Sequence, residues 1–490
     1  MIDAIVANAK IVTPTEIVHG SIAIDRGRIE MVGPHFLMPK SRQVIDAQER
    51  YVIPGLVDPH VHYGLVGDST FVEHCKRDWK PDSVGAAFGG VTTVMPMMMG
   101  YESHIPLVRE LIGWGDENSA VDYAFTVIIH QDGHLNDMAP LFEMGITAFK
   151  HFFTAFKGAE GRKLTALNGV DEGYFYRSLE RIRDLGAPAI AMCHAEDCEL
   201  YGIFTQRERA KGRNGLKAWA DARPPFTEAV RIEMASRLAY EANAPLYFVH
   251  LSTHESIEVV QKYKHIGTRL AAEAVIHTLT VSCDDEDEVG VWGKFVPPLR
   301  PKREIDAMWR GITAGVFDTI ATDHCTYTLE DKTQGEDKFG SVWDALPGVS
   351  NVQEHWLPVL WTYGVKTGRI TVHDVVKLCA ENAARRFGLY PRKGAISPGA
   401  DADLLIVDDT TEHLVDENFY HGRDRRLTIY KGRQLVGRPK LTMLRGKIIM
   451  QDGKFLGAHG DGRFTPARLG EFSHAASKKT TEAASTAAAR

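Results

Sequence analysis

The chain has 490 residues, 44% of them hydrophobic and 25% charged, with a formal net charge of -7 at pH 7. That length exceeds one ordinary core and calls for a large barrel or for two to three domains, while the acidic balance offers no general attraction to nucleic acid or to an anionic membrane. No apolar run reaches the roughly 18 residues of a bilayer span, and the six scattered cysteines, none in a CxxC pair, read as reduced thiols of a cytoplasmic protein.

The chain opens on "MIDAIVANAKIVTP", which reads as a first strand and not as a signal peptide. As far as Pro54, apolar and polar residues alternate between turn signals, as in "GSIAIDRGRIEMVG"; this is the pattern of short antiparallel strands. The same pattern returns in "DADLLIVDD" and "LTMLRGKIIMQDGKF". Residues 1–54 and 390–465 are therefore expected to build one small β-sandwich domain from both termini, since either flap alone lacks a second layer for its apolar face.

Residues 55–389 alternate short apolar strands with amphipathic helices. Strand-like pieces are "TTVMPMM", "DYAFTVII", "AFKHFF", "PAIAMCHAE", "LYFVHLS" and "DTIATDH", with helix-like stretches such as "DEGYFYRSLERIRDLG" between them. Repeated β-α units point to an α/β fold with a parallel sheet. Nearly every strand ends in His, Lys or Asp, and such ends converge on one mouth in a (β/α)8 TIM-like barrel. The run "CDDEDEVG" reads as a solvated helix start or loop, and residues 466–490, ending "ASKKTTEAASTAAAR", as a disordered tail.

The chemistry lies in "GLVDPHVHYG" and in later strand ends. A lone HxH is more often incidental than a metal grip. Lys150 in "GITAFKHFF", His194 in "AMCHAE", His250 in "FVHLS" and Asp323 in "ATDHC" are each individually explicable as paired polar groups. Jointly, all lie at C-terminal ends of apolar strands with His60 and His62, whose i, i+2 spacing sends both side chains to one face. Imidazoles and carboxylates suit zinc and similar divalent ions. A lysine ammonium cannot ligate a cation, but the carbamate formed with carbon dioxide can bridge two. Asp323 would ligate one ion and act as general base, and two ions about 3.5–4 Å apart activate a water and polarise a carbonyl. Asp58 is read as orienting a ligand histidine or capping the strand turn.

This order of HxH, strand-end Lys, His, His and Asp resembles the amidohydrolase superfamily, and within it the cyclic-amide hydrolases: hydantoinase, dihydropyrimidinase and allantoinase. Supporting stretches include "GGVTTV", "RPPFTEAVRI", "PPLR", "ENAARRFGL" and "KGAISPGADADLLIVD", in family order along nearly the whole chain. The resemblance implies a binuclear hydrolase that opens a cyclic amide or ureide ring by attack of a metal-bridging hydroxide. His60 and His62 would hold the more buried ion with Asp323, His194 and His250 the other, and N6-carboxylated Lys150 would bridge. Two zinc ions are the default, with manganese, iron or cobalt as alternatives, and relatives of this kind are commonly homodimers or homotetramers. The alternatives are an allantoinase, an amidohydrolase acting on an acyclic amide or carbamate, and a scaffold like the collapsin-response proteins, which lack most of these ligands.

The sequence departs from the pattern in three places. In "AFKG", Phe156 stands where hydantoinases place an oxyanion tyrosine; Tyr63 and His151 are candidate substitutes. Gly64 stands where dihydroorotases carry a carboxylate-binding arginine, which argues against that activity. The stretch "LPGVSNVQEHWLPVLWTYG" lacks an asparagine-glycine pair and leans towards allantoinase, with Asn351 as a candidate substrate contact. His130, which ends "DYAFTVIIH", and His277 in "EAVIHTLT" are further candidates.

Overall fold

The computed structural model describes residues 1–64, 71–153, 169–333, 341–416 and 420–468. The N-terminal segment forms β1 (Ile2–Val12), β2 (Ile17–Asp25), β3 (Arg28–Gly33), β4 (Ser41–Asp46) and β5 (Tyr51–Pro54). The β2–β3 hairpin turns on Arg26 and Gly27, both at positive φ (50° and 76°), the backbone that a two-residue hairpin matching the strand twist demands. A side chain at Gly27 would also meet the carbonyl oxygen of Arg445 at 2.8 Å.

The barrel follows with β6 (Leu56–His62), β7 (Val91–Met98), β8 (Asp122–Tyr123), β9 (Thr126–Ile128), β10 (Ala148–Phe152), β11 (Ile190–His194), β12 (Leu246–Phe248), β13 (Leu270–Val275), β14 (Thr319–Ala321) and β15 (His324–Cys325). Its neighbours pair in parallel. Residues on these strands are buried on both faces, so they read as continuous apolar runs and not as alternation. Two positions are interrupted. β8 and β9 both pair with β7 and fill one place. β14 pairs with β13 while β15 pairs with β6, and only Thr322 and Asp323 separate them. One interrupted strand thus closes the ring, giving the eight positions of a (β/α)8 barrel.

Helices such as Glu172–Leu185, Pro225–Ala242 and His254–His265 connect the strands. Their starts are set locally: Asp171 accepts from the Tyr174 amide and Thr253 from the Ser256 amide, satisfying amides that would otherwise lack a partner. "CDDEDEVG" forms a short helical segment begun by a Ser282–Asp285 capping box.

The chain then returns to the first sheet as β16 (Leu404–Asp408), passes a small ladder of β17 (His413–Leu414) and β18 (Gln434–Leu435), and ends in β19 (Arg438–Leu444), β20 (Lys447–Gln451) and β21 (Lys454–Phe455). β5 pairs antiparallel with β16, so both β-rich ends share one nine-stranded sheet. Val6, Ile11, Ile22, Ile24, Leu404, Ile406 and Met443 form its own apolar core. Beyond it, Ala467 and Arg468 donate to the carbonyls of Gly145 and Gly388 on the barrel; residues 469–490 of the expected tail lie outside the described residues.

A buried ionic cluster joins sheet to barrel. The Lys393 ammonium meets Asp122 of β8, Asp401 at 3.0 Å and Asp403 at 2.6 Å, and Arg445 also pairs with Asp122. Burial opposes the charge on Lys393, but the three carboxylates more than offset it and raise its pKa. Removing one partner of a buried pair strands the others, at a cost of about 3–5 kcal/mol. Lys393→Met is expected to lose stability of that size in urea unfolding; a change within experimental error would show that the cluster does not hold the two parts together.

Candidate metal centre at the barrel mouth

The six residues singled out at strand ends meet at the C-terminal mouth of the barrel. His60 and His62 end β6, Lys150 lies in β10, His194 ends β11, His250 follows β12 by two residues, and Asp323 interrupts the eighth strand. His250 and Asp323 adopt positive φ, 38° and 49°. Non-glycine residues accept that conformation at some cost, and it concentrates at functional sites.

His60 Nε2 lies 3.2 Å from His62 Nε2, and Asp323 Oδ1 is 3.1 and 3.3 Å from these two nitrogens. His194 Nδ1 faces His250 Nε2 at 2.9 Å, and donor atoms of His60, His250 and Asp323 lie within 4.8 Å of one another. Lys150 is fully buried, and its Nζ has no hydrogen-bond partner among the described residues. The Phe152 ring lies 5.0 Å away, and the lysine charge is felt at His62 and His250.

Carboxylates behind the histidines fix the ring orientations. His60 Nδ1 lies 2.7 Å from Glu273 Oε1 and donates to it, which turns the Nε2 lone pair into the mouth. His194 Nε2 donates to Glu196 Oε2 at 3.0 Å, which leaves Nδ1 as its free lone pair. Glu273 also accepts from the His250 amide at 3.0 Å and from the Tyr247 hydroxyl at 2.6 Å. Burial lowers the pKa of His62 to about 4 and that of His250 well below the ordinary value. Burial alone would raise the pKa of Asp323, but His60, His62 and His250 bring it well below the carboxylate range. Burial pushes the Lys150 amine down to about 8.

Imidazole nitrogens and a carboxylate oxygen converge here to about 3 Å of one another, an arrangement that a divalent cation binds. The donor set, with its orphaned amine, therefore fits divalent metal. Cys325 Sγ lies within reach of His62 and Asp323 as well, a soft donor not anticipated from sequence. Glu273 and Glu196 also escaped the sequence reading. A signal existed for the first, a lone carboxylate inside the apolar strand "LAAEAV".

The remaining candidates are placed as follows. His277 lies in the turn after β13, its ring 4.5 Å from Phe295, near enough to feel Asp323 and His60. His130 clusters with His134 and Tyr101. The Asn351 side chain donates to the carbonyls of Asp424 and Leu427. Tyr63 donates to Gln353 at 3.3 Å. His151 points away from the mouth, bonded to the Met192 carbonyl and the Ser178 hydroxyl, because it alternates with Lys150 along β10; it cannot replace the oxyanion tyrosine. Asp58 accepts from Thr322 and Gln353 and so braces the strands, while Glu273 orients the His60 ring. Phe156 lies outside the described residues. Gly64 has φ +70°, and a side chain there would meet the Cys75 amide nitrogen at 2.3 Å, so no arginine could stand at that position in this backbone.

A closed (β/α)8 barrel with this His/Lys/Asp set at its mouth defines the amidohydrolase class. A family model described as "Amidohydrolase family" matches residues 236–449. The chain is 31% identical over 474 residues to a D-hydantoinase of Ralstonia pickettii, covering 95% of this chain and 99% of the relative. It is 30% identical over 458 residues to an allantoinase of Solibacter usitatus, covering 92% and 94%. The solved structure of an L-hydantoinase (dihydropyrimidinase) from Arthrobacter aurescens superposes with a TM-score of 0.85 at 26% identity, covering 95% of this chain and all of that one. The chain belongs to the amidohydrolase family, in the group that includes the hydantoinases. Membership and donor set together imply bound divalent metal.

Partners that orient ligand histidines typically contribute 10–100-fold in metal affinity or activity, by order of magnitude. Glu273→Gln is expected to fold and to lose bound metal on dialysis roughly 10–100-fold more readily than the parent protein. Unchanged retention, measured by elemental analysis against chelator concentration, would remove Glu273 from the centre.

Proposed function

We propose that this protein hydrolyses a cyclic amide or ureide, of the hydantoin or dihydropyrimidine kind, with two zinc ions as cofactor. The observation that carries the reading is the buried Lys150 amine, without a hydrogen-bond partner among the described residues, amid converging imidazole nitrogens. His60, His62 and Asp323 would hold one ion and His194 and His250 the other, with Lys150 serving both as its N6-carboxylate. Ions bound there supply Lewis acidity, lowering the pKa of a water and polarising the ring carbonyl.

The chain's own residues do the rest. Asp323, kept ionised by its histidine neighbours, accepts a proton from the attacking water. It returns that proton to the ring nitrogen as the carbon–nitrogen bond breaks, so the products are a carboxylic acid, which gives its remaining proton to solvent, and a freed nitrogen on one open chain. Burial of the mouth excludes bulk water and strengthens each of these contacts. His277, His130, Asn351 and Phe156 are assigned to the substrate side. The free cysteines suit a reducing cytoplasm.

A second reading, allantoinase, is supported by the 30% identical relative of that name. Hydrolysis by zinc-reconstituted enzyme, tested on hydantoin, dihydrouracil, allantoin and acyclic amides, separates the two. Turnover of at least one ring is expected, and turnover of acyclic substrates alone would overturn the ring-opening assignment. Lys150→Ala is expected to lose bound metal and activity together, with partial recovery of both on adding a small carboxylic acid; a variant with full metal and full rate would eliminate the lysine bridge.

A further inference from the structure

The catalytic mouth occupies one end of the barrel. At the other end lies a cavity of about 520 Å³, within the roughly 300–1,000 Å³ of small-molecule pockets. Its lining includes Ile190 and Leu270, which open β11 and β13, Pro245 just before β12, and Asp318 just before β14. These are the strand starts, so the cavity faces away from His194, His250 and Asp323.

The walls are apolar, from Ile182, Pro188, Ile190 and Leu270, and the rim carries Arg183, Arg269, Arg385 and Arg386. Three of these arginines are already neutralised: Arg183 pairs with Asp184 at 2.8 Å, Arg385 with Glu381 at 2.6 Å and Arg386 with Asp318 at 2.8 Å. Asp318, which also lines the cavity, additionally holds Lys264 at 2.6 Å. Arg269 differs. It donates to the Asn243 carbonyl and pairs with no carboxylate among the described residues. It is exposed along part of its length, yet the protein packed around its guanidinium lowers its pKa by loss of water.

A guanidinium with no carboxylate partner among the described residues, at the edge of an apolar hollow, is complementary to a carboxylate with an apolar body. A phosphate would call for several free cations and polar walls, and among the described residues one lining cation, Arg269, lacks a carboxylate partner. We propose that the cavity at the strand-start end of the barrel is a second ligand site, binding a small monocarboxylate through Arg269, with the apolar body against Pro188, Ile190 and Leu270. The site is separate from the catalytic mouth and does not depend on the reaction assigned to it.

The test is calorimetric titration of 3-phenylpropionate, a probe with no amide or ureide, into wild-type protein and the Arg269→Met, Arg269→Lys and Lys150→Ala variants. Saturable binding at one site per chain is expected in wild type and in Lys150→Ala, with affinities within about twofold of each other. Arg269→Met should weaken it about tenfold or more, and Arg269→Lys by less, since the charge remains but the planar fork is lost. Arg269 has no carboxylate partner among the described residues to strand, so the unfolding midpoint of Arg269→Met should match wild type and confirm that it folds. Absence of saturable binding to wild type, equal affinity in Arg269→Met, or loss of binding in Lys150→Ala would each overturn the proposal, the last by moving the probe to the catalytic mouth.

Discussion

The Thr322 hydroxyl donates a 2.6 Å hydrogen bond to Asp58 Oδ2, and through it the first barrel strand holds the last. Asp58 also accepts from Gln353 Nε2 at 3.0 Å, and its burial raises its pKa to about 6. Directly beyond Thr322 the chain turns at Asp323 with φ 49°, so that β14 stays with β13 while β15 crosses to β6. The barrel closes by this break in its eighth strand. Closure brings Asp323 within 3.1 and 3.3 Å of two histidines more than 260 positions earlier in the chain, and no local interaction could do that.

The price of this convergence is electrostatic. Imidazoles, carboxylates and a lysine share a volume from which water is largely removed, and burial lowers His62 and His250 while it also lowers Lys150. Groups destabilised in this way add nothing to folding. The fold offsets them with an apolar core that runs through the barrel, from Val57 and Val61 to Ile320 and Trp356, and with the Glu273 carboxylate, which ties β13 to His60, to Tyr247 and to the His250 amide. Where sequence consistency gives way to local conflict, function is the usual reason. Here His60, His62, Lys150, His194, His250 and Asp323 gather such conflict at the C-terminal mouth, where barrel enzymes keep their chemistry.

Most of the architecture was legible because its signals are local. Alternation in "GSIAIDRGRIEMVG" gives the hairpin, apolar runs give the barrel strands, and a polar residue at each run's end gives the mouth. What was not legible depends on three-dimensional closure. The split eighth strand reads as one piece in "DTIATDH", because the positive φ at Asp323 has no glycine or asparagine to announce it. The outward aim of His151 follows from its alternation with Lys150 and could have been read; its bonds to Met192 and Ser178 could not. Gly64 shows the opposite case. Its composition suggested a choice about substrate, whereas the structure shows a steric requirement, since Cys75 backbone fills the space a side chain would need.

The six residues that meet at the mouth sit on strands or within two residues of them, and strands are fixed by their ladders. The segments that follow the eighth strand are held differently. Asn351, itself at φ 57°, donates its amide hydrogens to the carbonyls of Asp424 and Leu427, and His421 is gripped by Glu354 through both its amide and its ring. Chain returning towards the terminal sheet thus leans on the segment that follows the eighth strand. Loops positioned on a rigid scaffold vary most among relatives and carry selectivity. Similar chains bear the names D-hydantoinase, L-hydantoinase and allantoinase, as one strand scaffold carrying differing loops allows.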